Sequence, residues 1–195
     1  NEPALAKVSV MSAFAADAER PLLQIDGILP PEVLKESPSA KYGISAATEF
    51  RYRSLGCEII QEAAGILQLS AIGVGTAQSI LHRFYYRKSL KSYDAFVTAM
   101  GCLFLASKVE EKPKRLREVL FAFHYVYKVR TNATGKMELG GAMYAGWKES
   151  LVMVERTILK ELGFSFYVIE HAHRFILFYV KLLDGDAELA QEAWA

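Results

Sequence analysis

The sequence has little cysteine, little proline and almost no net charge. Its two cysteines, Cys57 and Cys102, are lone thiols inside apolar runs, so we expect reduced core residues of the kind found in intracellular proteins. The formal net charge is +1, whereas proteins that bind nucleic-acid phosphates are usually far more basic. No run reaches the ~18 consecutive apolar residues of a membrane-spanning helix, so a membrane partner is not expected.

Recognisable motifs for catalysis or ligand binding are also lacking. Residues 73–77 (GVGTA) resemble half of a phosphate loop, but no strand precedes them and no GK[ST] follows. His171 and His173 have no cysteine or carboxylate set nearby to complete a metal site. Glu110 and Glu111 are adjacent at the end of a predicted helix. Paired acid–base catalysis needs two carboxylates that face each other across a cleft. We therefore predict no catalytic residues, no metal site and no cofactor.

Apolar residues are abundant, at 52% of the chain, and charged residues make up 23%, which is enough for a sizeable core. Residues 1–20 are rich in alanine and are interpreted as a short helix or a frayed leader. Four of the six prolines lie in residues 21–43, which predicts an extended arm over a surface. The chain starts without methionine or a signal pattern, which we interpret as a piece of a longer protein.

Helical periodicity dominates the rest of the chain, where apolar residues recur at spacings of three and four. No alternating strand pattern competes with it, so the predicted fold class is all-α. The glycine-rich residues 130–146 are predicted to form a loop, and Pro113 is predicted to lie in the first turn of the fourth helix. The predicted helices cover 46–69, 70–86, 92–108, 113–127, 147–162 and 172–183, and a seventh runs to 195.

Two charged residues interrupt this apolar pattern. The third helix is apolar on every side, which indicates that other helices surround it, yet it ends at Lys108. In the fifth helix, Glu155 falls near the middle of an apolar arc. Burying an unpaired ion costs several kcal/mol, so we expect Lys108 to face Glu155. The pair is either an internal salt bridge at the end of a bundle or a polar island within an apolar docking surface.

Three motifs in a specific order resemble the cyclin box: LHRFYY (81–86), LASKVEE (105–111) and LKELGF (159–164). The segments LPPEVLKESPS (29–39), SLGCEIIQEAAGILQL (54–69) and HAHRFILFYVKLL (171–183) are similar to the L-type cyclins, which are associated with transcription and splicing. The resemblance extends over residues 21–195, which is nearly the whole chain.

The resemblance implies a five-helix cyclin-box bundle over residues 46–165, after an N-terminal arm at 1–45. Residues 166–195 would then form a linker and the first helices of an incomplete second box. It also implies a non-catalytic nuclear subunit that binds a cyclin-dependent serine/threonine kinase and activates it allosterically, in transcription or pre-mRNA splicing. The third and fifth helices would hold the kinase C-helix, and the implied kinase-binding residues are Lys108, Glu155, Leu105, Val109, Arg156 and Leu159.

Around Arg53 the sequence departs from the cell-cycle cyclins. Their substrate-docking patch uses a methionine, a leucine and a tryptophan, whereas this chain has Tyr52, Leu55, Gly56 and Ile60. Recruitment of substrates through this patch is therefore not expected.

The same bundle also occurs in cyclin-like transcription factors that bind DNA, and the segment KPKRLR (112–117) is basic. Because the net charge is low, a nucleic-acid-binding scaffold is the alternative hypothesis, and the kinase-binding subunit is the first. Residues 175–183 carry apolar side chains that would normally pack inside a second bundle. We expect this segment to self-associate, to exchange helices or to pack on the first box.

Overall fold

The computed structural model describes residues 36–166 and 173–194, in which every regular element is helical and no strand occurs. This confirms the predicted all-α fold class. The expectations for residues 1–35 and for His171 lie outside the described residues. The elements are a short 3-10 helix, Ala40–Tyr42, and seven α-helices: α1 Ala46–Ile66, α2 Ala71–Tyr85, α3 Ala95–Val109, α4 Leu116–Thr131, α5 Ala142–Glu161, α6 His173–Leu182 and α7 Ala187–Trp194.

Helix α3 lies at the centre of the bundle and packs against α1, α2, α4 and α5. Its N-cap is Asp94, whose carboxylate accepts hydrogen bonds from the backbone N–H groups of Phe96 and Val97 and so satisfies two free donors. The helix is buried on all sides, as its uninterrupted apolar sequence predicts. Its buried residues are Ala95, Thr98, Ala99, Met100, Gly101, Cys102, Leu103, Phe104, Leu105, Ala106 and Ser107.

The crossing of α3 and α5 is close because α3 has a glycine at the contact. A Cβ atom added at Gly101 would stand 2.5 Å from Val154 Cγ1 and 3.1 Å from Ile158 Cδ1. Carbon atoms in ordinary contact are about 3.5–4.0 Å apart, so no larger residue fits without movement. This close approach brings the C-terminal end of α3 alongside the second half of α5.

The predicted start of the fourth helix is wrong. Pro113 precedes the helix, which begins at Leu116 after Arg115 in an extended conformation. The Glu118 carboxylate accepts a hydrogen bond from the backbone N–H of Arg115 at 3.0 Å, and this contact fixes the start. The helix ends at Thr131, four residues beyond its predicted end, and Asn132 stops it in a left-handed conformation with φ of 53°.

The predicted loop at 130–146 is wrong at both ends. Helix α4 continues to Thr131, and α5 begins at Ala142, five residues before its predicted start. Gly141 is the N-cap residue, and Gly146 lies inside the helix. The loop is therefore shorter than its glycine content indicates, since a helix tolerates a glycine at an exposed position at a cost of about 1 kcal/mol.

The last two described helices pack against each other, with Gly185 between them in close contact with Val180 and Leu189. Phe178, Leu182 and Leu183 have exposed side chains. No helix in the described part of the chain is long and apolar enough to cross a membrane.

Candidate protein-docking surface

The C-terminal end of α3 and the second half of α5 are joined by the ion pair that the sequence predicts. Lys108 Nζ donates a hydrogen bond to Glu155 Oε1 at 2.5 Å. The Lys108 side chain is 41% exposed and that of Glu155 is 14% exposed, so the pair lies at the surface and is not sealed in the core. The ammonium group also lies 3.9 Å from the centroid of the Phe104 ring, a cation–π contact that sequence reasoning missed.

Hydrogen bonds around the exit of α3 fix the position of Lys108. Thr76 Oγ1 on α2 donates to Glu110 Oε1 at 2.5 Å, so this carboxylate points towards the bundle. The Ser107 carbonyl accepts from the Lys112 N–H at 2.9 Å, and Ser107 Oγ accepts from the Lys114 N–H at 3.3 Å. These hydrogen bonds therefore hold the chain in place on both sides of Lys108. The two acids that follow Lys108 differ, because Glu110 is hydrogen-bonded to Thr76 whereas Glu111 is exposed.

Five of the six predicted kinase-binding residues reach the surface. Besides the ion pair, Arg156 is exposed, and Val109 and Leu159 are half-buried. Leu105 is only 4% exposed, so it packs in the core and offers little area to a partner. We call the other five residues the docking surface: Lys108, Val109, Glu155, Arg156 and Leu159.

A groove of about 610 Å³ runs along α5 beside the docking surface. Val152 is 37% exposed and contributes apolar area together with the half-buried Met153. Sequence reasoning missed this groove, although its residues recur at helical spacing with cations among them. Within the described part of the chain, the lining residues are Ala145, Lys148, Glu149, Val152, Met153, Arg156, Thr157 and Lys160.

A second polar cluster lies between α1 and α2, centred on Arg53. Its guanidinium donates to His82 Nδ1 at 2.9 Å from Nη2 and at 3.1 Å from Nε, pairs with Glu49 at 3.3 Å and covers the Tyr86 ring. Because Nδ1 accepts, the proton of the neutral ring lies on Nε2, 3.4 Å from Cys57 Sγ. Burial, followed by the charge of Arg53, lowers the pKa of His82.

The sequence resemblance places this cluster in the region where the cell-cycle cyclins carry their substrate-docking patch. Gly56 and Ile60 are buried, Leu55 is half-buried, and Tyr52 is exposed. Arg53 is engaged within the bundle by its contacts with α1 and α2. The expectation that the chain does not recruit substrates in this way stays a prediction.

No group of three or more histidine, cysteine, aspartate or glutamate side chains within 36–166 and 173–194 could hold a metal ion. His171 and the side chain of His173 lie outside the described residues. The basic segment predicted from the sequence is solvent-facing at Lys112, Arg115 and Arg117.

Comparison with known proteins identifies the family. The family described as the cyclin N-terminal domain matches residues 32–167. Cyclin-L1-1 of Arabidopsis thaliana is 42% identical over 164 residues, which cover 84% of this chain and 39% of that protein. Cyclin-L1 of Rattus norvegicus is 37% identical over 175 residues, which cover 88% of this chain and 33% of that protein. Cyclin-L2 of Homo sapiens is 35% identical over 169 residues, with coverages of 86% and 32%.

The chain thus spans about a third of the length of these curated relatives. Among solved structures, a chain of the yeast RNA Pol II CTD kinase CTDK-1 complex matches with a TM-score of 0.72. The match covers 90% of this chain and 55% of that one at 17% identity, a level at which the likeness shows the fold alone. Family match, relatives and fold agree with the three sequence motifs: the chain belongs to the cyclin family, and its relatives there include the L-type cyclins.

Proposed function

We propose that this chain is a regulatory, non-catalytic subunit that binds a cyclin-dependent serine/threonine kinase through the docking surface and activates it allosterically. The observation that carries the proposal is the Lys108–Glu155 ion pair, which lies at the surface between two packed helices instead of inside the bundle. Membership of the cyclin family supports the same function. The L-type relatives support a nuclear role in transcription or pre-mRNA splicing.

The chemistry of the ion pair suits a protein partner. An ammonium group has three donors, and the contact with Glu155 uses one of them, so Lys108 can also donate to carbonyl groups of a partner. Glu155 keeps lone pairs that can accept from partner N–H groups. Val109 and Leu159 flank the pair with apolar area, so the polar contacts set the register while apolar burial supplies affinity.

Activation would follow from holding the kinase C-helix in one position. A protein kinase is active when its own lysine–glutamate ion pair has formed and its activation loop is ordered. A cyclin that binds this conformation more tightly shifts the kinase population towards it. In this mechanism every reacting group belongs to the kinase. We further propose that residues 46–165 form the first cyclin box and that α6 and α7 begin a second one, whose exposed apolar side chains can also support self-association.

The test uses a panel of purified cyclin-dependent kinases, with binding affinity and peptide phosphorylation as readouts. We expect Lys108→Ala and Glu155→Ala each to weaken binding of the cognate kinase at least about tenfold and to lower its activation. Glu155→Ala leaves the 41% exposed Lys108 in solvent and should change the free energy of unfolding by only about 1 kcal/mol or less. Lys108→Ala leaves the 14% exposed Glu155 without its cation and should cost more, about 1–3 kcal/mol. Both losses are smaller than the total stability of about 5–15 kcal/mol of a typical domain. Helical content should therefore stay unchanged.

Arg130→Ala provides a matched control. It removes ion pairs with Glu58 and Glu62 that join α4 to α1, away from the docking surface, and should leave kinase affinity intact. Equal kinase affinity of the wild-type, Lys108→Ala and Glu155→Ala proteins would refute the assignment of the docking surface.

The exposed basic residues Lys112, Arg115 and Arg117 favour a second candidate, a cyclin-fold scaffold that binds nucleic acid. Retention on heparin separates the two functions. A kinase regulator should elute at low salt, whereas a nucleic-acid-binding scaffold should be retained strongly and released steeply as salt rises.

A further inference from the structure

We propose that Ser37 is a phosphorylation site for a proline-directed serine/threonine kinase and that its phosphate releases residues 37–44 from the helical bundle. We call residues 37–44 the N-terminal segment. This inference does not depend on the docking surface or on the proposed function, because a kinase that the chain does not regulate can modify the segment equally well.

The sequence around Ser37 fits this class of kinase. Ser37 stands directly before Pro38, and no other serine or threonine of the 195 residues is followed by proline. A proline directly after the acceptor residue is the feature that proline-directed kinases select. Ser37 and Pro38 precede the 3-10 helix and belong to no helix or strand. Ser37 is half-buried between exposed Glu36 and exposed Ala40, so a small local opening presents its hydroxyl to a kinase.

The modification is a phosphoryl transfer from ATP. The Ser37 hydroxyl oxygen attacks the γ-phosphorus, the bond from that phosphorus to its bridging oxygen breaks, and ADP leaves with the bonding electrons. The hydroxyl proton passes to the catalytic aspartate of the kinase. The product carries about −1.5 to −2 charges near pH 7 and three acceptor oxygens, whereas the hydroxyl donor is lost.

This hydroxyl holds the N-terminal segment to α1 through a carboxylate. Ser37 Oγ donates to Glu49 Oε2 at 2.5 Å, and Arg53 Nη1 donates to Glu49 Oε1 at 3.3 Å. Glu49 is 5% exposed, so little water screens its charge, and a phosphate on Ser37 would put two anions in contact. Arg53 is also held by His82 and Tyr86, so turning to the phosphate would break those contacts. The segment therefore moves away and α1 stays in place.

Two further contacts of the N-terminal segment can report its release. The Leu90 N–H donates a hydrogen bond to Ser39 Oγ at 3.1 Å, and Ser39 is fully buried. Lys91 Nζ lies 5.1 Å from the centroid of the Tyr42 ring. Release of the segment frees the Leu90 amide, so the hydrogen exchange of this amide measures how much of the chain keeps the segment in place.

The experiment treats the purified chain with a mitogen-activated protein kinase, ATP and Mg²⁺, and locates the phosphate by mass spectrometry. We expect phosphate on Ser37, at a lower rate than in a synthetic peptide of residues 33–43, and little incorporation into the Ser37→Ala and Pro38→Ala chains. Phosphorylation should speed exchange of the Leu90 amide about tenfold or more and trypsin cleavage after Lys41 severalfold. The Leu103 amide in α3 should stay protected.

Glu49→Gln is the control that separates charge from bulk. Glutamine keeps an oxygen that accepts from the unmodified Ser37 hydroxyl, and its amide N–H groups can donate to a phosphate. The phosphorylated Glu49→Gln chain should therefore keep most of the Leu90 protection that the phosphorylated wild-type chain loses.

Several results would overturn the inference. Phosphorylation of the peptide alone, or of neither peptide nor chain, would show that Ser37 is no substrate in the folded protein. Unchanged exchange of the Leu90 amide after phosphorylation would show that the N-terminal segment stays in place. Equal loss of protection in the phosphorylated wild-type and Glu49→Gln chains would refute the repulsion between phosphate and carboxylate. Loss of Leu103 protection would mean that the bundle unfolds instead of releasing one segment.

Discussion

Replacing Gly101 by alanine should push α3 and α5 apart. The new Cβ would stand 2.5 Å from Val154 Cγ1, about 1 Å inside the normal separation of two carbon atoms. Val154 and Ile158 are both buried and branched, so neither can move away without disturbing the core. Overpacking of this kind costs about 1–3 kcal/mol, whereas alanine gains up to about 1 kcal/mol in helix propensity. We expect a net loss of about 1–2 kcal/mol in the free energy of unfolding.

The assay is thermal and urea denaturation followed by circular dichroism. For a chain of this size, the expected loss lowers the melting temperature by roughly 2–8 °C. Gly65→Ala is the matched control, because a Cβ at that exposed position in α1 meets no atom within 4 Å, and it should leave stability unchanged or raise it. In Gly101→Ala with Val154→Ala the 2.5 Å clash disappears and the 3.1 Å approach to Ile158 remains, so the double variant should lose less stability than the sum of the single losses.

Two results would refute this reasoning. One is a Gly101→Ala protein as stable as wild type, which would mean that the helices are not in close contact at this glycine. The other is additivity with Val154→Ala, which would show that the two residues do not share the contact. Because these same helices carry Lys108 and Glu155, we also expect Gly101→Ala to weaken kinase binding.

Two further predictions concern titratable groups. Burial and Arg53 lower the pKa of His82 in the folded state, so its contribution to stability is complete above the ordinary value of 6.5 and is lost as the pH falls below it. The melting temperature should therefore drop below pH 6.5, and less so in His82→Gln; an NMR titration midpoint above 6.5 would contradict this. Burial raises the pKa values of the Cys57 and Cys102 thiols, so a thiol reagent should modify half-buried Cys57 slowly and buried Cys102 only after unfolding. Rapid modification of Cys102 in the folded protein would show that α3 is accessible.

The central helix was predictable because its apolar residues cover every side, and only a position surrounded by other helices suits such a sequence. The start of α2 also depends on a local contact, because the Ser70 hydroxyl accepts a hydrogen bond from the Gly73 N–H three residues later. These are local signals, and each depends on residues within one or two turns.

The helix ends that were mispredicted depend on contacts between distant residues. The last turn of α4 contains Arg130, which hydrogen-bonds to Glu58 and Glu62 about seventy positions earlier, and no local pattern reveals that contact. The first five residues of α5 include Gly146 and are mostly exposed, so neither periodicity nor apolar content separates them from a loop.

The candidate site was predictable as far as its ion pair. The position of Glu155 on an apolar arc required a cation, and Lys108 was available at the end of the central helix. Burial of Leu105 and the α5 groove could not be predicted, because the sequence shows which residues share a helix face but not which face a neighbouring helix covers.

The contact between Lys108 and the Phe104 ring has a consequence for the entropy of association. A free lysine side chain samples many rotamers, and ordering one costs about 1.5–2 kcal/mol. Here the ring and Glu155 orient the ammonium when the chain folds, so this freedom is already lost before a partner arrives. Phe104→Leu should therefore weaken binding by releasing Lys108, although the ring itself is buried beneath the surface.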